Sequence, residues 1–359
     1  MATLHIHSER IIGNIKKLNE YLTPKGIHWT LVTKILNGSR AVLEKILNDP
    51  SIEGVHSIGD SRMSNLKLIK EIRPDILTMY IKPPAINLAK TVVRYADISL
   101  NSSFETIKAL DAQAALQQKI HKIIVMIEMG ELREGIVRDN ILGFYEKVFK
   151  LEHISVIGIG TNLGCMYGVE PTYDKLIQLS LYKQLIETTF NVNLEMVSSG
   201  SSITLPLVSM NKIPRGVTHF RIGEAAFLGS SPYDNKKFRN LSTSAFNFAA
   251  EIVEIEKKEV VPDGVIGDAA IGETADFNKM QYTESYRGIV DFGELDVDYH
   301  NLAAKDDKIN FVGTTSDMTV YDLGQVSQKY KVGDQLHFSP NYMAVARLTN
   351  SRYMNKSIV

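Results

Sequence analysis

Cysteine is almost absent: Cys165 stands alone in 359 residues. No intrachain disulfide and no cysteine-based metal cluster can form within one chain, and a reducing, cytoplasmic setting is expected. Long apolar runs are missing too. No stretch approaches the ~18 apolar residues of a membrane span, and the opening MATLHIHSERIIGN lacks the basic start and apolar run of a signal peptide. Neither sign of charge prevails, because 40 Lys plus Arg stand against 41 Asp plus Glu for a formal net charge of −1. With those charges scattered, there is no electrostatic footprint for nucleic acid or an anionic membrane, and small-molecule partners become the default. No GxGxxG follows the first strand, and there is no Walker loop or GxSxG, which counts against a nucleotide enzyme or a serine hydrolase. The 9 histidines make no HExxH or similar spacing, so no metal is expected.

What is present describes a globular chain. With 44% hydrophobic and 23% charged residues, a disordered or polyelectrolyte protein is excluded. Up to about residue 230, short β-rich runs alternate with longer stretches of helical periodicity. The runs are HWTLVTK (28–34), GVHSIG (54–59), ILTMYI (76–81), ISLN (98–101), KIIVMIEM (122–129), VIGIGTN (156–162), LEMVSSG (194–200) and THFRIGE (218–224). Segments such as SFETIKALDAQAALQQ between them are long enough to return the chain for another parallel strand. Eight such units predict an α/β fold, a closed (β/α)8 TIM-type barrel.

The texture then changes. FNFAAEIVEIE, RGIVDFG, NFVGTTSDMTVYDLG and QLHFSPNYMAVARL are short, β-branched or aromatic, and punctuated by Gly, Pro and Asp, which reads as a C-terminal β-strand domain. The division falls within 232–245, giving a barrel over 1–235 and a β domain over 236–359. TLHIH near the N-terminus is a strand that belongs to either part.

In such a barrel chemistry sits at the C-terminal strand ends, and here those ends are polar. Lys34 closes the first strand, where a desolvated amine can form a Schiff base, although a lysine at a strand end is more often simply solvated. Ser198, Ser199, Gly200 and Ser201 follow the seventh strand, and Arg221, Ile222 and Gly223 close the eighth, the two places where barrels commonly hold phosphate on backbone N–H groups. A Ser/Gly run is also an ordinary loop. Lysine and phosphate together suggest pyridoxal phosphate. Arg133, in GELREG, and Asn162, in GTNLG, lie at the fifth and sixth strand ends, within reach of a cofactor ring; Arg133 pairing with Glu131 or Glu134 is the alternative. Cys165 is a thiol acid/base or a small buried apolar residue.

The order VTK, GELREG, GTNLGCMYG, SSGSS and FRIGEAAFLG resembles the ornithine racemase-like subgroup of the alanine racemase family. The resemblance implies a pyridoxal phosphate-binding barrel, a C-terminal β domain and a homodimer with shared active sites that racemises an amino acid, a basic one such as ornithine or lysine. It also implies roles. Lys34 is the Schiff-base lysine and one catalytic base, Arg221 faces the pyridine nitrogen, and Arg133 contacts the ring hydroxyl. Ser199, Gly200 and Ser201, with the backbone of Gly223 and Glu224, hold the phosphate, and Asn162 stands where alanine racemases have a histidine. The family's second base is a tyrosine in a GYADG-like motif, but DFGELDVD occupies that stretch without one. Cys165 is therefore ranked first as the second catalytic residue, ahead of Tyr282, Tyr286 or Tyr299 from a partner's β domain. Asp291, Glu294, Asp296 and Asp317 are candidate countercharges for a basic side chain. The alternatives are a non-catalytic pyridoxal phosphate carrier and a barrel-type decarboxylase.

Overall fold

The computed structural model describes residues 1–267, 272–274, 276, 282–325 and 329–359. The chain divides into two compact units, Arg10–Thr243 and, together, Met1–Glu9 with Ser244–Val359. β1 (Thr3–Ile6) precedes a barrel of eight strands: β2 (His28–Val32), β3 (Ser57–Asp60), β4 (Thr78–Tyr80), β5 (Ile98–Asn101), β6 (His121–Met126), β7 (Ile154–Gly160), β8 (Met196–Ser201) and β9 (His219–Ile222). All neighbours are parallel, and β9 closes the ring on β2 with Trp29 opposite Phe220 and Leu31 opposite Ile222. The expected closed (β/α)8 barrel is what the chain forms.

Parallel strands need crossovers, and helices such as Phe104–Leu116 and Tyr173–Phe190 supply them. Thr172 caps the second of these by accepting the Lys175 N–H, and Asn191 ends it at φ 51°, a left-handed conformation Asn tolerates. Covered on both faces, the strands carry continuous buried runs rather than alternation. Met79, Leu100, Ile124, Met126 and Met196 cluster as one apolar core. Other buried strand residues are polar, among them Thr30, Ser57, Ser198, His219 and Arg221.

The second unit is built on a mainly antiparallel sheet. Its strands are β12 (Phe246–Glu259), β13 (Glu284–Val290), β14 (Leu302–Ala304), β15 (Asn310–Thr314), β16 (Thr319–Asp322), β17 (Gln335–Pro340) and β18 (Asn355–Ile358); a two-residue ribbon, β10 (Ser230–Ser231) with β11 (Lys236–Lys237), precedes them in the first unit. The order is β14-β17-β12-β13-β16-β15, and β1 joins by pairing antiparallel with β12 and parallel with β18. TLHIH thus contributes to this sheet. Phe248, Phe292 and Phe338 meet with ring centroids 5.1–6.1 Å apart, contacts worth about 0.5–1.5 kcal/mol each beyond area burial.

The structure corrects one segment. QLHFSPNYMAVARL reads as β throughout, but only Gln335–Pro340 is strand and Tyr342–Asn350 is a helix. Pro340 ends the strand, Asn341 caps the helix by accepting the Ala344 N–H at 3.1 Å, and Ala344, Val345 and Leu348 bury one helical face.

Candidate active site

β2 runs straight into the turn that carries Lys34. Thr33 donates to Asp60 Oδ2 at 3.0 Å, and Asp60 also accepts from the Arg62 N–H and from Asn65, so β2 and β3 are clamped where their strands end. Burial nevertheless raises the Asp60 pKa, and those donors only partly oppose it. Lys34 itself is exposed. Asn37 and Gly38 follow at φ 47° and 72°, and a Cβ on Gly38 would lie 2.6 Å from Asn65 Oδ1.

Arg221, near the end of β9, is 7% exposed. Taking a guanidinium out of water costs several kcal/mol unless it is well paired. Four acceptors meet it: Nη1 donates to Ser198 O at 2.7 Å and to Ser198 Oγ, while Nη2 donates to Thr161 O at 2.7 Å and Asn162 Oδ1 at 2.8 Å. Burial pushes its pKa down to about 10, with Glu134 acting the other way, so the group stays charged at neutral pH.

Asn162 passes the connection on. Its Nδ2 donates to Glu134 Oε1, and the same carboxylate takes two hydrogen bonds from Arg133. Arg133 Nη1 in turn points at Cys165 Sγ. One continuous chain, Arg221–Asn162–Glu134–Arg133–Cys165, therefore crosses the ends of β9, β7 and β6. Burial is the largest influence on Glu134 and opposes its charge, but the Arg133 hydrogen bond, a backbone N–H and the charges of Arg133 and Arg221 together lower the pKa.

Glu131 builds the loop that holds Cys165. Its buried carboxylate accepts the N–H groups of Cys165, Tyr167 and Val169, each at 2.9 Å. Burial works against that charge, yet the backbone donors prevail and the carboxyl lies below its ordinary range. Gly135 permits the tight turn opposite, at φ 141°, where a Cβ would fall 2.3 Å from the Glu128 nitrogen.

β8 and β9 bring the Ser/Gly segment beside Arg221. The register slips between Ser198 and Gly200, so that Ser201 faces Arg221. A Cβ on Gly200 would sit 1.9 Å from the Phe220 ring, which makes glycine there a steric necessity. Ser199 Oγ is buried without a hydrogen-bond partner. Ser201 and Thr204 cap one another, the Ser201 N–H donating to Thr204 Oγ1 at 3.1 Å. Gly223 lies over the end of β2, where a Cβ would approach Val32 O to 3.2 Å, and Glu224 begins the helix Glu224–Leu228. Burial raises the Glu224 pKa while the charge of Lys34 lowers it.

Lys34, Arg133, Asn162, Cys165, Ser199, Gly200, Ser201, Arg221, Gly223 and Glu224 thus all lie at one end of one barrel, within a single unit. Arg133 does pair with Glu134, and Cys165 is exposed rather than buried. Glu131 and Glu134 enter the sequence reading only as ion-pair partners; their roles as hubs needed the fold, since each gathers donors from a loop some thirty residues away.

Residues 6–231 match the family described as alanine racemase, N-terminal domain. The chain belongs to the alanine racemase family. This member is 32% identical to an ornithine racemase of Acetoanaerobium sticklandii over 93% of each chain, and 29% identical to a lysine racemase of Thermotoga maritima over 98% of its own length and 97% of that relative. Solved alanine racemases share its fold. That of Corynebacterium glutamicum superposes with a TM-score of 0.72 at 17% identity, covering 100% of this chain and 99% of the other. That of Bartonella henselae, solved with covalently bound pyridoxal phosphate, gives 0.74 at 12% identity, over 100% of this chain and 99% of the other. The protein is an amino-acid racemase, an isomerase.

Proposed function

We propose that this racemase interconverts the enantiomers of a basic amino acid, ornithine or lysine, with pyridoxal 5'-phosphate bound at Lys34. The carrying observation is the joined chain of Arg221, Asn162, Glu134 and Arg133 at the same strand ends as Lys34. The residues fit the cofactor: an exposed amine, a buried arginine charged at neutral pH, and a buried serine hydroxyl, Ser199 Oγ, with hydrogen-bonding capacity unused. In this reading Arg221 faces the pyridine nitrogen, Arg133 the ring hydroxyl, and Ser199, Gly200 and Ser201 with the backbone of Gly223 and Glu224 hold the phosphate. When bound, pyridoxal phosphate supplies the electron sink that makes the Cα proton of an amino acid acidic. A fixed positive charge at Arg221 disfavours protonation of the ring nitrogen and so limits competing chemistry.

Racemisation requires an acid/base on each face of Cα. Lys34 Nζ takes and returns the proton on one face, and Cys165 Sγ, with the Arg133 guanidinium against it, serves the other. The tyrosines are less suited. Tyr282 is bound to Asp322, and burial followed by that carboxylate pushes its pKa up to about 12. Tyr299 stacks on Phe311 at 3.5 Å, and its pKa is raised by burial and then by Glu273. Tyr286 is half-buried in β13.

A basic side chain is favoured by the relatives, an ornithine racemase at 32% identity and a lysine racemase at 29%. The proposal includes a homodimer with shared active sites and a cytoplasmic setting.

The test is chemical. The full chain is loaded with pyridoxal phosphate, treated with borohydride and mapped by peptide mass spectrometry. Modification at Lys34 is expected; trapping elsewhere, or none, overturns the assignment.

A further inference from the structure

Behind Arg221 the barrel holds a polar column that the proposed reaction does not use. Ser198 Oγ lies 2.8 Å from His219 Nδ1, His219 Nε2 lies 3.0 Å from Thr30 Oγ1, and Thr30 Oγ1 lies 2.7 Å from Ser57 Oγ. Ser57 Oγ then lies 3.1 Å from His56 Nδ1. Ser198, His219, Thr30 and Ser57 are fully buried. His56 lines a cavity of about 320 Å³ with Leu77, Lys122 and Glu195, residues at the opposite, N-terminal ends of the strands.

The donors in this column can be assigned by elimination. A guanidinium only donates, so Ser198 Oγ accepts from Arg221. The Ser198 hydroxyl proton then has His219 Nδ1 as its acceptor; the reverse polarity would leave that buried proton unpaired. With Nδ1 accepting, His219 carries its proton on Nε2 and donates to Thr30. At Thr30 distance decides: Ser57 Oγ at 2.7 Å is a far stronger acceptor than Met79 Sδ at 3.8 Å, so Thr30 donates to Ser57, and Ser57 to His56 Nδ1. Burial, then the charges of His56, Arg221 and His28, hold the His219 pKa well below its ordinary value, consistent with a neutral ring. At the far end burial, His28 and Lys122 lower the His56 pKa against Glu195.

We propose that His219 is a positioning residue for Arg221, a neutral Nε2–H ring that fixes Ser198 Oγ beneath the guanidinium as part of a one-way hydrogen-bond wire running from Arg221 to His56. The consequence for function rests on the role proposed for Arg221, whereas the tautomer does not. A wedge of dipoles all oriented away from Arg221 holds its Nη1 in one place and leaves the ring no freedom to flip.

The experiment uses the full chain labelled with 15N-histidine, with His219 signals assigned by their loss in His219→Gln. Two-bond 1H–15N correlation spectra are expected to show His219 as the neutral Nε2–H tautomer throughout about pH 6–8, the range in which an ordinary histidine titrates. An Nδ1–H or doubly protonated ring overturns the proposal. In Thr30→Val, which cuts the wire without touching any partner of Arg221, His219 is expected to become a tautomer mixture, and the pH dependence of the bound cofactor's absorbance to shift. Ser198→Ala is expected to weaken pyridoxal phosphate binding about three- to tenfold. Absorbance profiles identical to the parent in both variants contradict the positioning role. If the parent chain binds no pyridoxal phosphate, the proposed function fails while the tautomer spectrum still decides the wire.

Discussion

Arg221 donates to Asn162 Oδ1 at 2.8 Å, which leaves the Asn162 amide nitrogen to donate to Glu134. An asparagine suits this place because it presents an acceptor to a buried cation and a donor to a carboxylate at the same time. It thereby links two arginines that would repel each other if brought together alone.

Removing the carboxylate should loosen both. Glu134→Gln is expected to fold, since its ion pair with Arg133 is partly exposed, at 35% and 11% of the side chains. Turnover should fall about tenfold, the worth of one charge-assisted hydrogen bond of about 1.5 kcal/mol. Steady-state kinetics beside a melting curve separates this from unfolding; unchanged turnover contradicts the role.

Lys34 is exposed on its turn, so Lys34→Ala should still fold, giving one cooperative melting transition when compared with the parent free of pyridoxal phosphate. The variant should lose covalent cofactor attachment and all Cα exchange. Retained exchange rules out Lys34 as the base.

Cys165→Ser should separate the two faces. Exchange from one enantiomer is expected to persist while conversion to the other stops. Parental rates with both enantiomers would remove the cysteine from the mechanism and return attention to Tyr286 and Tyr299.

Glu131 predicts a pH dependence with a definite sign. Its folded pKa is depressed, so the stabilisation it gives is complete above its unfolded value of about 4.3 and is lost as pH falls through the lower folded value. Glu131→Gln should lower stability at neutral pH by about 1–3 kcal/mol and flatten the acid limb of the melting curve. Denaturant unfolding at neutral pH and near pH 3 checks both; an unchanged acid limb contradicts the assignment.

The barrel was legible because its signal is periodic: ISLN is β5 residue for residue, and the other seven runs overlap their strands. Lys34 and Arg221 could be found because strand ends are countable. The hubs were not. Glu131 binds three N–H groups of residues 165–169, and nothing in local sequence announces a carboxylate aimed at a distant loop. His219 looked like one of several scattered histidines, since its meaning comes from Thr30 and Ser198, far away in the chain and adjacent only after closure. QLHFSPNYMAVARL misled because its β-rich first half set the reading for a helix that begins only after Pro340.

The most direct measurement follows the Cα proton. The purified chain, supplied with pyridoxal phosphate in deuterated water, is incubated with each enantiomer of ornithine, lysine, alanine and serine, and loss of the Cα signal is read by NMR. Selective washout from both enantiomers of ornithine or lysine is the predicted result. Bound pyridoxal phosphate with no washout from either basic amino acid would contradict the proposed function.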